Sequence, residues 1–439
     1  MPKRSKKTPQ LYFGPEPAYV VLRSHYEPIS LRTLVETRCT SLKTKFRPTW
    51  WLNNGHMQTV YSVLGDFSNV DRVWYQRRLL RLVDGGTLGL DFTPPEAASV
   101  PADAPILVVQ HGLTGGSHEP YVRSILAPAC TPVERGGLGY RAVVINFRGC
   151  SGVPITSAKF YTGAQTDDLR QALTYISSQY PDAPLLGLGF SIGGNVLARY
   201  LAEEGANSRI SAAAILGNPW DLVGNTLSLH KSIFGRHLYL PGMGDNVKRV
   251  ILRHQAVFFQ NPEHPTAVAL RKIMHTKHPT LTEFDDIYTR TVGDTPPYPF
   301  ASVHDYYSWA STHDIARAQI RVPCLTINAR DDPVVQRTQM PLPHAQDGGY
   351  VVSVITHGGG HLGWFCGRGA KERWSTKPVL EWMEVFGRHV RRDPGDVVIS
   401  EDEDGFLRES QWPNLGCKEI SGGGIIDGNR PERELYQGF

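Results

Sequence analysis

The stretch LLGLGFSIGGNVLARYL, from Leu185 to Leu201, places a serine where a predicted strand gives way to a predicted helix. Its first half is an apolar run typical of a buried strand, and its second half has apolar residues at helical spacing. Between them lies the pentapeptide Gly189-Phe190-Ser191-Ile192-Gly193. On a strained strand-to-helix turn this pattern exposes the serine hydroxyl, so Ser191 is predicted to be a catalytic nucleophile. The alternative is a glycine-rich turn whose serine has no chemical role.

The bulk composition is that of an ordinary globular protein with a sizeable core. Hydrophobic residues make up 41% of the 439 positions and charged residues 20%, and the formal net charge is +4. This balance gives no electrostatic case for nucleic acid as a partner. The six cysteines are scattered without a C-x-x-C pair, which argues against a zinc site or a disulfide scaffold and favours reduced thiols.

The location of the protein is predicted from what the chain lacks. The first residues contain no continuous apolar segment of the kind found in signal peptides. No run approaches the roughly 20 apolar residues that a membrane-spanning helix needs. We therefore expect an intracellular, cytoplasmic protein with at most peripheral contact with a membrane or lipid.

Apolar strands alternate with helical segments through the middle of the chain. PILVVQHG, RAVVINFRGC, APLLGLGFS and ISAAAILGNP are predicted strands, and TDDLRQALTYISSQY is an amphipathic helix with acids in its first turn. This alternation predicts an α/β fold with a mostly parallel central sheet and helices on both faces. Earlier in the chain, two strand-like runs flank Asp84-Gly85-Gly86, a sequence typical of a β-hairpin.

The strand pattern pauses after ISAAAILGNP and resumes at VPCLTINA and YVVSVITHGGGH. The intervening segment is rich in aromatic residues and proline, and we predict that it forms a cap or lid inserted over the edge of the sheet. The chain is accordingly divided into an N-terminal extension (1–45), a first part of the core (46–222), the cap (223–318), a second part of the core (319–391) and a polar C-terminal tail (392–439). The tail is acidic and then glycine-rich, and is expected to be loosely ordered.

A nucleophilic serine needs a base, and the base needs an orienting acid. In hydrolases of this architecture the three follow in the order serine, acid, histidine. Asp331 and Asp332 follow the predicted strand CLTIN, and His357 and His361 follow VVSVI. Active sites of such sheets lie at the carboxyl ends of the strands, where all of these residues fall. The combination predicts a catalytic triad.

We choose one acid and one histidine from each pair. Asp332 is preferred because a turn of three residues after the strand can swing its carboxylate back towards the histidine, leaving Asp331 as a solvated or capping acid. His361 is preferred because Gly358-Gly359-Gly360 would let the loop bring its ring close to the serine. His357, closer to the strand, is predicted to be structural.

Two backbone N–H groups should stabilise the charge that develops on the substrate oxygen. One is expected from Ile192, directly after the nucleophile, and the other from the loop HGLTGGSHEPY after the first parallel strand. In that loop Leu113 is the predicted donor, with Thr114 as its neighbour. His111 is expected to serve loop geometry rather than chemistry.

Several stretches together resemble one branch of the α/β-hydrolase superfamily. This branch includes the ABHD phospholipase-like proteins, the plant embryogenesis-associated hydrolases and the yeast medium-chain fatty acid ethyl ester synthase/esterases. The stretches lie between about Phe46 and Trp364 and read WWLNNGHMQT, QHGLTGGSHEPYV, NFRGCSG, TDDLR, GFSIGGN, LTEFDDIYT, DYYSWAS, NARDDP and HGGGHLGW. The resemblance implies an α/β-hydrolase fold and a serine esterase or acyltransferase acting on lipid-like or medium-chain esters. Residue by residue it places the nucleophile at Ser191, the acid at Asp332 and the base at His361.

Three functions follow from this reasoning. The first is hydrolysis of a small-molecule carboxylic ester, and the second is acyl transfer from acyl-CoA to an alcohol by the same triad. The absence of an H-x-x-x-x-D signature favours hydrolysis. The third is a non-catalytic binding protein on a hydrolase scaffold, against which the intact serine, aspartate and histidine argue. No metal or organic cofactor is predicted, since the chain has neither H-E-x-x-H nor a G-x-G-x-x-G loop after its first parallel strand.

Overall fold

The computed structural model describes residues 8–24, 27–293, 296–335, 348–391 and 398–430, together with residues 432 and 435. The beginning of the predicted N-terminal extension, part of the second core segment and parts of the predicted tail lie outside these residues.

The strands, in chain order, are β1 (Gln10–Phe13), β2 (Tyr19–Val21), β3 (Pro28–Ser30), β4 (Trp74–Leu82), β5 (Thr87–Thr93), β6 (Ile106–Gln110), β7 (Arg141–Asn146), β8 (Leu185–Phe190), β9 (Ile210–Leu216), β10 (Cys324–Ala329), β11 (Val351–Thr356), β12 (Phe365–Cys366), β13 (Glu372–Arg373), β14 (Ile399–Glu401), β15 (Leu407–Glu409) and β16 (Cys417–Asp427).

The α-helices are α1 (Leu31–Arg38), α2 (Gly55–Leu64), α3 (Pro120–Cys130), α4 (Asp167–Gln179), α5 (Ile192–Glu204), α6 (Leu222–Lys231), α7 (Leu240–Arg253), α8 (Gln255–Phe258), α9 (Pro265–His275), α10 (Leu281–Phe284), α11 (Val303–Ala310), α12 (His313–Gln319) and α13 (Thr376–Glu384). π-Helical turns at Gly235–Tyr239, Asp285–Thr289 and Val385–His389 adjoin α7, α10 and α13.

Twelve of the described strands form one sheet in the order β1-β11-β10-β9-β8-β6-β7-β5-β4-β16-β15-β14. The six strands from β11 to β7 in this order pair in parallel. The others pair antiparallel, including the β4–β5 hairpin predicted around Asp84-Gly85-Gly86. The predicted α/β fold with a mostly parallel central sheet is thus confirmed.

The parallel strands are buried almost throughout and consist mainly of apolar residues, because helices cover both faces of the sheet. On β6, Ile106 and Val108 pack into the core on one face, with side chains of α4 and α5. Leu107 and Val109 point to the other face and pack with side chains of α3 and α13. This burial on both sides explains why the sequence shows continuous apolar runs rather than alternating ones.

The two ends of the chain extend the sheet at its two edges. In the predicted N-terminal extension, β1 pairs antiparallel with β11. Near the other terminus, β16 pairs with β4 from Cys417↔Leu82 to Asp427↔Trp74, and β15 and β14 follow outside it. The expectation of a loosely ordered tail is therefore wrong for the segment that contains these three strands.

The glycines of the tail explain why its strand escaped the sequence pattern. The register of β16 against β4 shifts between Ile420 and Gly424, which is a bulge within the Gly422-Gly423-Gly424 run. A Cβ atom on Gly423 would lie 2.1 Å from the carbonyl oxygen of Arg77, so only glycine fits there. A run of glycines that looks like a flexible linker is here a kink in a paired strand.

Between β9 and β10 the chain forms α6 to α12, in the region predicted to be a cap. Side chains from α6, α7 and α11 line a cavity that also contains Ser191. In the described part of the chain, no helix combines the length and the apolar character needed to cross a bilayer.

Candidate active site

Four strands of the parallel part of the sheet end on the same side and bring the predicted site residues together. Ser191 follows β8, Asp332 follows β10, His361 follows β11, and Leu113 lies in the loop after β6. Because carboxyl ends of parallel strands meet at the same edge, residues far apart in sequence become neighbours there.

Ser191 sits on the strained turn that the sequence predicts. Its backbone has φ 49° and ψ −127°, a left-handed conformation that is costly for a residue with a side chain. A Cβ atom on Gly193 would lie 2.2 Å from the carbonyl oxygen of His111, and one on Gly189 would lie 2.7 Å from Cα of Gly194. The glycines around the serine are therefore required by close backbone approach where β8 turns into α5.

A chain of hydrogen bonds joins the serine, a histidine and an aspartate. The distance from Ser191 Oγ to His361 Nε2 is 2.9 Å, and that from His361 Nδ1 to Asp332 Oδ2 is 2.8 Å. With Nδ1 donating to the carboxylate, Nε2 is free to accept the serine proton. His361 and Asp332 are 2% and 4% exposed, so their contact is shielded from water.

Backbone donors fix the carboxylate of Asp332. Its Oδ1 accepts hydrogen bonds from the N–H groups of Val334 and Val335, both at 2.8 Å, which leaves Oδ2 directed at the histidine. The arrangement can orient an imidazole ring and stabilise a positive charge on it.

Asp331 and His357, the alternative acid and histidine, lie beside these hydrogen bonds and take no part in them. Asp331 is half-buried, and its Oδ1 accepts a hydrogen bond from the N–H of Gly360 at 3.0 Å. Of the two roles expected for Asp331, a solvated or a capping acid, this contact fits the second: the carboxylate binds a backbone N–H of the loop 357–361 that carries the histidine, and burial raises the pKa of its carboxyl. His357 packs against Phe46, with ring centroids 5.5 Å apart.

The backbone donors predicted for a developing oxyanion both border the cavity. Leu113 and Ile192 line it next to Ser191. The N–H of Thr114, the neighbouring alternative, instead donates to the hydroxyl of Tyr161 at 3.1 Å. Ile192 is the first residue of α5, where backbone N–H groups lack helical acceptors and the helix dipole favours negative charge.

His111 has a structural environment. It is fully buried, its Nδ1 lies 2.8 Å from the carbonyl oxygen of Gly112, and its Nε2 accepts the N–H of Phe147 at 3.1 Å. Burial lowers its pKa to about 4, so the ring is neutral near pH 7. Both nitrogens are engaged in holding the loop after β6.

Helix α2 packs against the segment 357–365 that carries His361, here called the histidine loop. Sequence reasoning did not assign this role to the helix. The hydroxyl of Thr59 accepts the backbone N–H of His361 at 2.8 Å. Gln58 Oε1 accepts the N–H of Phe365 at 2.8 Å, and its Nε2 donates to the carbonyl oxygen of Leu52 at 2.8 Å. The motif WWLNNGHMQT contains both side chains, so the resemblance marked the segment without revealing its function.

The cavity over Ser191 is partly open to solvent and has a volume of about 90 Å³. Its walls come from the loop after β6, the segment around Phe160, the helices between β9 and β10, and the turn after β10. Most of the lining side chains are apolar or aromatic. One exception is Asp285, which belongs to the stretch LTEFDDIYT and which sequence reasoning did not single out.

Comparisons with known proteins agree on one family. The family model described as alpha/beta hydrolase fold matches residues 105–362. A monoacylglycerol lipase of Saccharomyces cerevisiae is 28% identical over 90% of this chain and 91% of its own length. An abhydrolase domain-containing protein of Dictyostelium discoideum is 31% identical over 78% of this chain and 81% of its own. Medium-chain fatty acid ethyl ester synthase/esterase 2 of S. cerevisiae is 30% identical over 79% and 87%.

Proposed function

Because the chain belongs to the α/β-hydrolase fold family, we propose that it cleaves carboxylic esters through an acyl-enzyme formed on Ser191. The observation that carries this proposal is a pair of successive hydrogen bonds, one between Ser191 Oγ and His361 Nε2 and one between His361 Nδ1 and Asp332. A serine hydroxyl is a weak nucleophile until an adjacent base accepts its proton. The names of the relatives, a lipase and an esterase among them, support the same reaction class.

In the first half of the reaction Ser191 Oγ attacks the ester carbonyl and its proton passes to His361 Nε2. The resulting imidazolium keeps its Nδ1–H bonded to Asp332, whose negative charge stabilises it. The proton then moves from Nε2 to the leaving alcohol oxygen, and the acyl group stays on Ser191. In the second half water attacks the acyl carbon and gives a proton to His361 Nε2. The bond between the acyl carbon and Ser191 Oγ then breaks, Oγ takes the proton back from Nε2, and the free acid leaves.

The carbonyl oxygen becomes negatively charged in both halves. We assign its stabilisation to the backbone N–H groups of Leu113 and Ile192. Both residues border the cavity at Ser191, and the start of α5 adds the positive end of its dipole. The loss of one such donor costs about 3–4 kcal/mol of transition-state stabilisation in well-studied hydrolases.

Acyl transfer is a second outcome of the same intermediate. If an alcohol rather than water reaches the acyl carbon, the product is a new ester. One relative is named for both activities, as an ester synthase/esterase. Measuring products in the presence of ethanol separates the two, because transfer yields an ethyl ester and hydrolysis yields the free acid.

A fluorophosphonate probe tests the proposal, since it reacts with an activated serine. We expect the wild-type protein to be labelled and to cleave p-nitrophenyl esters, and the Ser191→Ala variant to lose both properties with a rate loss of roughly 10⁴–10⁶. Ser308→Ala is the matched control, because Ser308 is exposed and lies 3.5 Å from His304 Nδ1. Retained cleavage in Ser191→Ala, or an equal loss in Ser308→Ala, contradicts the assignment.

A further inference from the structure

The cavity around Ser191 is lined by two chemically different groups of side chains. The apolar lining residues Leu229, Leu240, Met243, Val334 and Val335 pack together as a single cluster. The polar lining residues include Asn225, Thr226, Asp285, Thr289 and Tyr307. Side chains of this kind can hydrogen-bond a polar group of a bound molecule, which an alkyl chain does not have.

Asp285 is the charged member of the polar group. It is 8% exposed, and its two oxygens each accept one hydrogen bond, Oδ1 from Thr289 Oγ1 at 2.5 Å and Oδ2 from Tyr307 Oη at 2.8 Å. Within the described residues no basic side chain forms an ion pair with it. A carboxylate has about four acceptor positions, and the hydrogen bonds from Thr289 and Tyr307 occupy two of them in Asp285.

The hydrogen bonds to Asp285 offset only part of the cost of burying its negative charge. Burial raises its pKa to about 6, and the hydrogen bonds from Thr289 and Tyr307 offset only part of that effect. If an apolar ligand displaced water from the cavity, the remaining acceptor positions of Asp285 would be left unsatisfied. A ligand that places a hydrogen-bond donor there avoids this cost.

We propose that Asp285, held by Tyr307 and Thr289, is the subsite for a hydroxyl group on the alcohol part of the ester. The proposal rests on ester cleavage at Ser191 and names the class of substrate: esters of polyols rather than of simple alkanols. The apolar cluster around Leu229 and Met243 takes the acyl chain. A hydroxyl fits this site better than an ammonium group, because a fixed positive charge would have to leave water for a cavity lined mainly by apolar side chains.

A purely structural role for Asp285 makes a different prediction. The carboxylate links the π-helical turn Asp285–Thr289 to α11 through Tyr307. If that link were its whole function, replacing Asp285 would change the cleavage of all esters by the same factor. A substrate-binding role changes the ratio between esters that carry a hydroxyl and esters that do not.

The test compares kcat/KM for monooctanoylglycerol and propyl octanoate, which share the acyl group and the three-carbon alcohol but differ in hydroxyls. Both are used below their micellar concentrations. We expect the wild-type protein to prefer monooctanoylglycerol by about tenfold or more, the range of a hydrogen bond to a charged group. Asp285→Asn should lose this preference while retaining cleavage of propyl octanoate.

Asp286→Asn is the matched control. Asp286 is the neighbouring carboxylate, but it pairs with Arg290 Nε at 2.7 Å, and its side chain is half-exposed. This variant should keep the wild-type preference. An absence of preference in the wild type, an equal loss for both esters in Asp285→Asn, or a preference for octanoylcholine that Asp285→Asn abolishes would each overturn the hydroxyl subsite.

Binding of a non-hydrolysable ether separates this inference from the proposed reaction. Thermal stabilisation by 1-O-octylglycerol and by octyl propyl ether is measured for the wild-type, Asp285→Asn and Ser191→Ala proteins. We expect stronger stabilisation by the glycerol ether, lost in Asp285→Asn and kept in Ser191→Ala. If no ester is cleaved, the proposed reaction fails and the ether result still decides the subsite. If esters are cleaved but the two ethers bind equally, only the subsite fails.

Discussion

The hydroxyl of Thr59 accepts the backbone N–H of His361 at 2.8 Å, joining two residues that are 302 positions apart. The same hydroxyl donates to the carbonyl oxygen of Gly55 one turn earlier in α2, also at 2.8 Å. A Cβ atom on Gly360 would lie 2.4 Å from that carbonyl oxygen, so the histidine loop rests directly on the helix. Helix α2 therefore positions the ring that faces Ser191, although it contributes no atom to the hydrogen-bonded triad.

We predict that Thr59→Val lowers kcat on a soluble ester by about tenfold and leaves KM nearly unchanged. Valine has the shape of threonine but cannot accept the N–H of His361, and a lost hydrogen bond of this kind corresponds to about a factor of ten. Thr59→Ser keeps the hydroxyl and should restore most of kcat. The rate of fluorophosphonate labelling should fall in parallel in Thr59→Val. Unchanged kcat in Thr59→Val would show that the loop holds its position without α2.

The two adjacent aspartates should respond very differently to the same substitution. Asp332→Asn removes the charge that stabilises the imidazolium and favours the wrong ring tautomer, which in the trypsin-type triad costs about 10⁴ in kcat. Asp331→Asn keeps an oxygen that can accept the N–H of Gly360, so its effect should stay within about threefold. Steady-state kinetics on one ester suffices for both variants. Equal losses would mean that Asp332 is not the acid of the triad.

Acyl chain length should control the rate until the apolar part of the cavity is filled. Each additional buried CH₂ contributes about 0.8 kcal/mol, which is roughly a fourfold increase in kcat/KM. We expect kcat/KM for p-nitrophenyl esters to climb from acetyl towards hexanoyl or octanoyl and then to fall. Leu229→Trp would narrow the apolar part of the cavity and move the maximum to a shorter chain. A flat profile with soluble substrates would contradict this role of the cavity.

The free energy of unfolding should depend on pH through the titration of Asp285. Burial raises the pKa of this carboxyl from an ordinary value near 4 to about 6, so the folded state binds its proton more tightly than the unfolded state does. The associated stability is fully present below about pH 4 and is lost as the pH rises through about 6. Two pKa units correspond to roughly 3 kcal/mol. Tyr161, Tyr298, Tyr306 and Tyr307 interact electrostatically with Asp285, and because burial raises their pKa values they stay neutral in this range.

Denaturant unfolding of the wild-type and Asp285→Asn proteins at several pH values checks this prediction. The asparagine does not titrate, so the free energy of unfolding of the wild type relative to the variant should fall as the pH rises from about 4 to about 7. Parallel pH profiles for wild type and Asp285→Asn would mean that Asp285 titrates as it does in water.

Short-range patterns were sufficient to predict the central fold. Apolar runs of strand length predicted the parallel strands because burial on both faces leaves a local signature. The glycines around Ser191 predicted the strained turn, because a tight turn from strand to helix needs glycine within a few residues of its centre. The order of Ser191, Asp332 and His361 along strand ends was also readable, because the topology of such a sheet brings strand ends together.

Other features depend on which distant segments meet, and no local pattern records that. The pairing of β16 with β4 was missed because three glycines resemble a linker, whereas here they form a bulge against Arg77. Thr59 and Asp285 each look like ordinary helix residues until the fold places one against the loop that carries His361 and the other in the cavity at Ser191. By itself, the sequence determined the parallel strands, the turn at Ser191 and the order of the candidate triad. Only the tertiary structure decided what surrounds the triad. Those contacts join residues that are far apart in the sequence, and no repeating pattern of residues marks them in advance.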